Sequence, residues 1–237
     1  MHLWLSKKSI MATSRLQPGQ QKKKLFDNPL LDSLSKTHIA YPLTIFYGSA
    51  VVILFYTIYA GILPATTSIL AFILGFFFFT LIEYAIHKYA YHMDESTPFR
   101  KRMVYIMHGM HHDQPKDKKR LAMPPVLSVI LAAVFFLFYW SIMGEFGMPF
   151  TAGFMAGYAT YLCVHYSVHA FRPPKNFMKI LWIHHAIHHY QNPNVAYGVS
   201  SPLWDIVFRT MPEKKSKQQE KEKAKAGFID DDRKVRL

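Results

Sequence analysis

The chain has 237 residues, of which 51% are hydrophobic, 16% aromatic and only 18% charged. Lys and Arg outnumber Asp and Glu by 28 to 15, a formal net charge of +13. An apolar chain with a basic minority reads as an integral membrane protein and not as a nucleic-acid binder; the lone Cys163 excludes a disulfide framework, a cysteine-based zinc site and a cysteine-ligated iron–sulfur cluster.

In chain order, residues 1–40 form a basic segment with seven Lys and Arg, for which an interfacial helix is one expectation. No apolar core or small-residue cleavage site precedes Lys22, so a signal peptide is not expected, and Met11 is an alternative start to Met1. Crossing a hydrocarbon core of about 30 Å takes about 20 apolar residues in a helix. Four stretches meet that length: 41–63, 66–86, 126–144 and 148–168. Pro64-Ala65 joins the first pair and Glu145-Phe146-Gly147 the second, which predicts two helical hairpins. Pro124-Pro125 stands just ahead of the third, where a helix start tolerates proline. The connection 87–125 carries eight cations and the region after the fourth stretch carries thirteen, whereas the two short turns carry none. The positive-inside rule then places both termini and the central connection in the cytosol. The predicted layout is a basic segment 1–40, a transmembrane and cap region 41–212, and a charged, disordered tail 213–237.

Thirteen histidines are the anomaly. Eleven lie between 87 and 189 in four groups: His87 and His92; His108, His111 and His112; His165 and His169; His184, His185, His188 and His189. Each group sits at or beyond the cytosolic end of a predicted span. Residues three and four apart share a helix face, so the last three groups each present converging imidazoles. The five-residue gap from His87 to His92 is too wide for one α-helical face and predicts a helix running into a turn. Neutral imidazole is the commonest metal-ligand side chain. Ten or eleven converging rings suffice for two ions with four or five ligands each, which predicts a dimetal site. His2 and His38 read as interfacial residues. Glu83, one turn before His87 and inside the second span, is costly at that depth. It either orients a ligand imidazole or pairs with Lys88 or Lys179.

These groups resemble the membrane fatty acid hydroxylase superfamily, and within it fatty acid 2-hydroxylases without a cytochrome b5 domain. The similar segments are the runs 33–37, 81–92 and 108–112, then Arg120-Leu121-Ala122-Met123-Pro124-Pro125, then 157–169, 185–189 and 198–208 with its Trp204-Asp205 pair. They span about 27–212. The resemblance implies an all-α integral membrane fold: four transmembrane helices capped by a cytosolic helical domain that holds the histidine-rich dimetal site. It implies as metal ligands His87, His92, His108, His111, His112, His165, His169, His185, His188 and His189, with His184 outside the set. Asp205 aligns with an acidic residue of the family's ending and is a candidate to support the ligands, as is Glu83. One departure is Leu162, where relatives carry an acidic residue three positions before the third group, near the metals.

The implied activity is O2-dependent hydroxylation of a lipid acyl chain by two histidine-held iron ions, at C2 of a fatty acid or of a sphingolipid-type N-acyl chain. Zinc can take the iron positions in recombinant protein. Electrons are expected from a separate donor, such as cytochrome b5 or a ferredoxin with its reductase, and the lipid substrate from the membrane. The histidine groups are shared with oxidases of sterols, carotenoids and alkyl lipids, so only the narrower runs favour fatty acids. A metal transporter fits less well, because transporters hold cargo near the midplane, which is uncharged here.

Overall fold

A computed structural model describes residues 24–213. The tail beyond 213, most of the basic N-terminal segment, and the Met1 or Met11 start lie outside the described residues, as does His2. All regular structure among the described residues is helical. Helix α1 spans Pro29–Leu34, α2 Ala40–Tyr59, α3 Ala65–Ile86, α4 Pro98–Val104, α5 Met110–Asp113, α6 Pro125–Met143, α7 Gly147–Ala170, α8 Lys179–Tyr190 and α9 Leu203–Val207.

Local chemistry sets the ends. The Asn28 side chain accepts from the amides of Leu30 and Leu31, and Pro29 supplies a first turn that needs no donor. Thr97 caps α4 in the same way, accepting from the Arg100 amide at 3.2 Å ahead of Pro98. Just after α2 stands Gly61 at φ +63°, and just after α6 Gly144 at φ +58°; both have positive φ, which a side chain resists. Gly61 therefore ends the first helix at Tyr59, four residues earlier than apolarity alone predicts.

Among the described residues, three stretches are long and apolar enough to cross a membrane: Ala40–Tyr59, Ala65–Tyr91 and Lys118–Ala170. The last, of 53 residues, contains both α6 and α7. Helix α7 is the hub, packed against α2, α3 and α6. Its partners approach through small residues, as expected where no hydrophobic effect drives helices together. A Cβ on Gly153 would lie 1.9 Å from the Phe72 carbonyl oxygen, and one on Gly75 would lie 2.0 Å from that of Phe150. The aromatic side chains fill the space around this backbone contact. Phe79 packs against Phe154 and Tyr158, and Phe46 meets Tyr158 edge to face at 4.7 Å. Of the phenylalanine run, Phe79 is buried whereas Phe77 is exposed. Buried Thr57 and Thr151 return their hydroxyl protons to carbonyls one turn back, Ile53 and Gly147, so neither donor is stranded in the apolar bundle. Gly153→Val is expected to force α3 and α7 apart and to cost about 1–3 kcal/mol, as overpacking does. Thermal unfolding of the detergent-solubilised protein checks this; an unchanged midpoint would show that the helices tolerate separation.

Candidate metal centre

The histidines gather where α3 and α7 end. Helix α3 does not stop at Ile86 but widens into a π-helical turn, His87–Tyr91. Its i→i+5 spacing carries His92 round to the same side as His87, with ring centroids 5.2 Å apart. The five-residue gap that excludes a shared α-helical face is accommodated by this local widening. A second π-helical turn, Tyr105–Gly109, leads His108 into α5, which carries His111 and His112. Helix α7 contributes His165 and His169 from its last turns, and α8 contributes His185, His188 and His189.

The ten rings fall into two groups of five. His87, His92, His108, His112 and His188 form one; His111, His165, His169, His185 and His189 form the other. Within each group one ligand atom from every residue lies within 4.8 Å of all the others. The atoms that meet are Nε2 in every case. In the first group His108 Nε2 lies 3.1 Å from that of His87 and 2.9 Å from that of His112, while His92 and His188 meet at 3.0 Å. In the second, His111 Nε2 lies 2.9 Å from His165 and 3.1 Å from His189, and His169 meets His185 at 2.7 Å. A metal–imidazole bond of about 2.0–2.1 Å puts neighbouring ligand nitrogens about 3 Å apart and opposite ones about 4 Å apart. Both donor sets fit that spacing.

The far side of the rings shows which nitrogen bears the proton. His87 Nδ1 donates to the Tyr197 carbonyl, and His188 Nδ1 donates to the Val195 carbonyl at 2.9 Å. A carbonyl only accepts, so the proton sits on Nδ1 and the Nε2 lone pair is left to face the cluster. In contrast, Nδ1 of His111, His185 and His189 has no partner among the described residues. Outside the apolar helices, burial and then the neighbouring imidazoles push the pKa of His111, His185 and His189 well below the ordinary value. His112 falls to about 4, through burial and then His92, and His188 to about 3, chiefly through burial. Such rings are neutral at pH 7, the form that binds metals.

Both carboxylates singled out in the sequence are buried here, and both hold backbone amides without touching a clustered imidazole. Glu83 accepts from the amides of Val199 and Ser200 at 2.8 and 2.9 Å and from the Ser200 hydroxyl. Its partner is neither Lys88 nor Lys179. Asp205, with no solvent exposure, accepts from the amides of Tyr197 and Gly198, from the Thr210 hydroxyl and from His184 Nε2 at 2.9 Å. Burial raises the Asp205 pKa, but the bonds from His184, Thr210 and the Gly198 amide outweigh it and hold the carboxyl below its usual range. The loop 195–200 is thus pinned by two carboxylates and presents its carbonyls to His87 and His188. Gly198 is required there, because a Cβ would sit 2.2 Å from the Ser201 oxygen. His184 stands outside both clusters and hydrogen-bonds Asp205 instead. His38 is exposed and accepts from the Ala40 amide.

Two tyrosines belong to the site without having been singled out in the sequence. Tyr91 stacks on His108 with centroids 5.0 Å apart, and Tyr161 stacks on His165 at 5.4 Å. Their available signal was position, one residue before His92 and four before His165. Leu162 is 2% exposed and joins the apolar cluster of Phe46, Met155 and Ala159.

The family described as "Fatty acid hydroxylase" matches residues 72–210. The chain is 38% identical over 152 residues to "Ceramide very long chain fatty acid hydroxylase scs7" of Schizosaccharomyces pombe, covering 62% of this chain and 44% of that one. It is 34% identical over 153 residues to "Dihydroceramide fatty acyl 2-hydroxylase FAH1" of Arabidopsis thaliana, covering 62% and 63%. It is 33% identical over 221 residues to human "Fatty acid 2-hydroxylase", covering 84% and 59%. The chain therefore spans about half the length of these curated relatives. A solved structure described as "Full length scs7p (only hydroxylase domain visible)" superposes with a TM-score of 0.72 at 31% identity, covering 79% of this chain and 72% of that one. With more than half of its residues matched, and with paired histidine clusters at the centre of the match, the chain belongs to the fatty acid hydroxylase family.

Proposed function

We propose that the chain hydroxylates a lipid acyl chain at C2, using O2 and two iron ions held by the ten clustered histidines. The observation that carries this reading is the meeting of ten Nε2 atoms in two five-membered groups at one end of the apolar helices. The printed names of the relatives, a ceramide very long chain fatty acid hydroxylase, a dihydroceramide fatty acyl 2-hydroxylase and a fatty acid 2-hydroxylase, support the substrate class. In this reading α2, α3, α6 and α7 are four membrane spans in two hairpins, within a hydroxylase domain of residues 41–212. Both termini and the metal centre face the cytosol, as the Lys and Arg distribution supports.

When bound, a pair of iron ions supplies the redox chemistry that activates O2, which no side chain can. The reaction balances as one C–H bond and O2, with two electrons and two protons, giving one C–OH bond and water. The electrons come from a separate donor protein, of the cytochrome b5 or ferredoxin type. The chain's own residues hold and orient. His87 and His188, anchored through Nδ1, keep their Nε2 lone pairs aimed inward without rearrangement. Glu83 and Asp205 keep the anchoring loop from moving. The apolar walls of α3 and α7 exclude bulk water on the membrane side, from which an acyl chain can reach the centre.

Lipid mass spectrometry of cells with and without the chain, supplied with iron and an intact reductase system, tests the proposal. The expected product is an acyl species one oxygen atom heavier with its hydroxyl at C2. Unchanged acyl lipids beside newly oxidised sterols or carotenoids would overturn the substrate and leave the centre standing.

A further inference from the structure

Two runs singled out in the sequence, 33–37 and 120–125, have no place in the chemistry above, yet the structure brings them together. Asp32 on α1 is buried, with 5% of its surface exposed, and lies far from both histidine clusters in sequence. Its Oδ1 accepts from Arg120 Nη2 at 2.6 Å and from the Leu25 amide at 2.7 Å, and its Oδ2 accepts from Lys36 Nζ at 2.7 Å. Arg120 is held from three sides. Nη1 donates to the Ser35 hydroxyl at 2.9 Å, and Nε lies 3.6 Å from Asp117 Oδ2, an ion contact too long for a hydrogen bond. The Thr37 amide donates to the Lys119 carbonyl at 2.8 Å, closing the same junction through the main chain. The side chains of Asp32 and Arg120 are 7% and 6% exposed, so the pair is shielded from water and from salt. Lys36 first and Arg120 second hold the Asp32 carboxyl well below the usual carboxylate range.

What this junction holds is the stretch between two candidate ligand pairs. His111 and His112 stand at one end of residues 111–121. At the other end, buried Leu121 follows the turn Lys118–Arg120, which packs against α7, the helix that carries His165 and His169. The second cluster has few other supports, since Nδ1 of His111, His185 and His189 lacks a partner among the described residues. The geometry points to Asp32 and Arg120 as positioning residues for the second cluster: by locking the segment before the first span onto the 117–121 turn, they hold in place the turn that packs against α7, the helix that carries His165 and His169. This assignment rests on the two-ion reading above. It gives the segment before the first span a task in metal binding.

Cobalt(II) titration of the purified full chain in detergent, followed by visible absorption and by metal analysis, tests the pair. The wild-type chain is expected to take up two ions per chain. Asp32→Asn is expected to weaken one of the two about 10–100-fold, the usual cost of losing an outer partner of a ligand, and to leave the other unchanged. Arg120→Ala should reproduce that loss, the double variant should add nothing further, and Asp32→Glu should recover part of it. A purely structural pair would weaken both ions together or lower helix content, and either result overturns the assignment. So does retention of two tight ions in both single variants, or strictly additive losses in the double. If the wild-type chain itself takes up fewer than two ions, the two-ion reading fails, and the pair falls with it.

Discussion

His188→Ala and His185→Ala are each expected to lose one ion of two and to drop hydroxylation by more than about a hundredfold, since outer partners alone cost about 10–100-fold. The two residues are three apart on α8, yet they serve different clusters. His188 Nε2 lies 3.0 Å from His92 in the first group, whereas His185 Nε2 lies 2.7 Å from His169 in the second. The variants should therefore retain complementary ions. Metal analysis of each purified variant, read beside acyl product formation in cells, checks the expectation. Full turnover by either variant, or two ions retained in either, would remove that ring from the centre. Loss of both ions from a single substitution would show that the clusters bind as one unit.

Asp205→Ala is expected to be the most damaging change outside the histidines. The carboxylate has no solvent exposure and accepts four hydrogen bonds, from two amides, one hydroxyl and one imidazole. Its removal strands the Tyr197 and Gly198 amides and His184 in a dry site. Breaking a buried, charge-assisted network of this kind costs about 3–5 kcal/mol. The functional loss should fall first on the first cluster, because Tyr197 and Val195 carry the carbonyls that orient His87 and His188. A lowered unfolding midpoint in detergent, with metal lost from the first cluster before the second, is the expected result. An unchanged midpoint would show that the loop 195–200 is held by Glu83 alone.

Much of the architecture follows from short-range chemistry and is readable without coordinates. A run of about 20 apolar residues becomes a long helix wherever it occurs, and glycines at 61 and 144 end two of them. Spacings of three and four put His108 with His111 and His112, and His185 with His188 and His189, on shared helical faces whatever surrounds them. The four histidine groups, with no thiolate-rich or carboxylate-rich motif to compete with them, already imply imidazole-based metal chemistry. The five-residue gap between His87 and His92 resists the same logic, because a π-helical turn depends on packing around it and not on local propensity.

Three features were decided only by tertiary structure. The first is the partition of the ten rings, in which neighbours His111 and His112 go to different clusters while His92 and His188, 96 positions apart, share one. The second is the action of the two carboxylates. Burial depth marks Glu83 as constrained, but its partners lie 116 and 117 residues away on a loop that carries no charge to betray the contact. The third is the junction of Asp32 with Arg120 across 88 residues. The physical reason is common to all three. Helix formation and face sharing are governed by bonds within a few residues, so they are written along the chain. Lone pairs, carboxylates and amides at distant positions choose partners only once α3, α7 and α8 have packed, when each buried polar atom must find whichever donor or acceptor the fold has brought within reach.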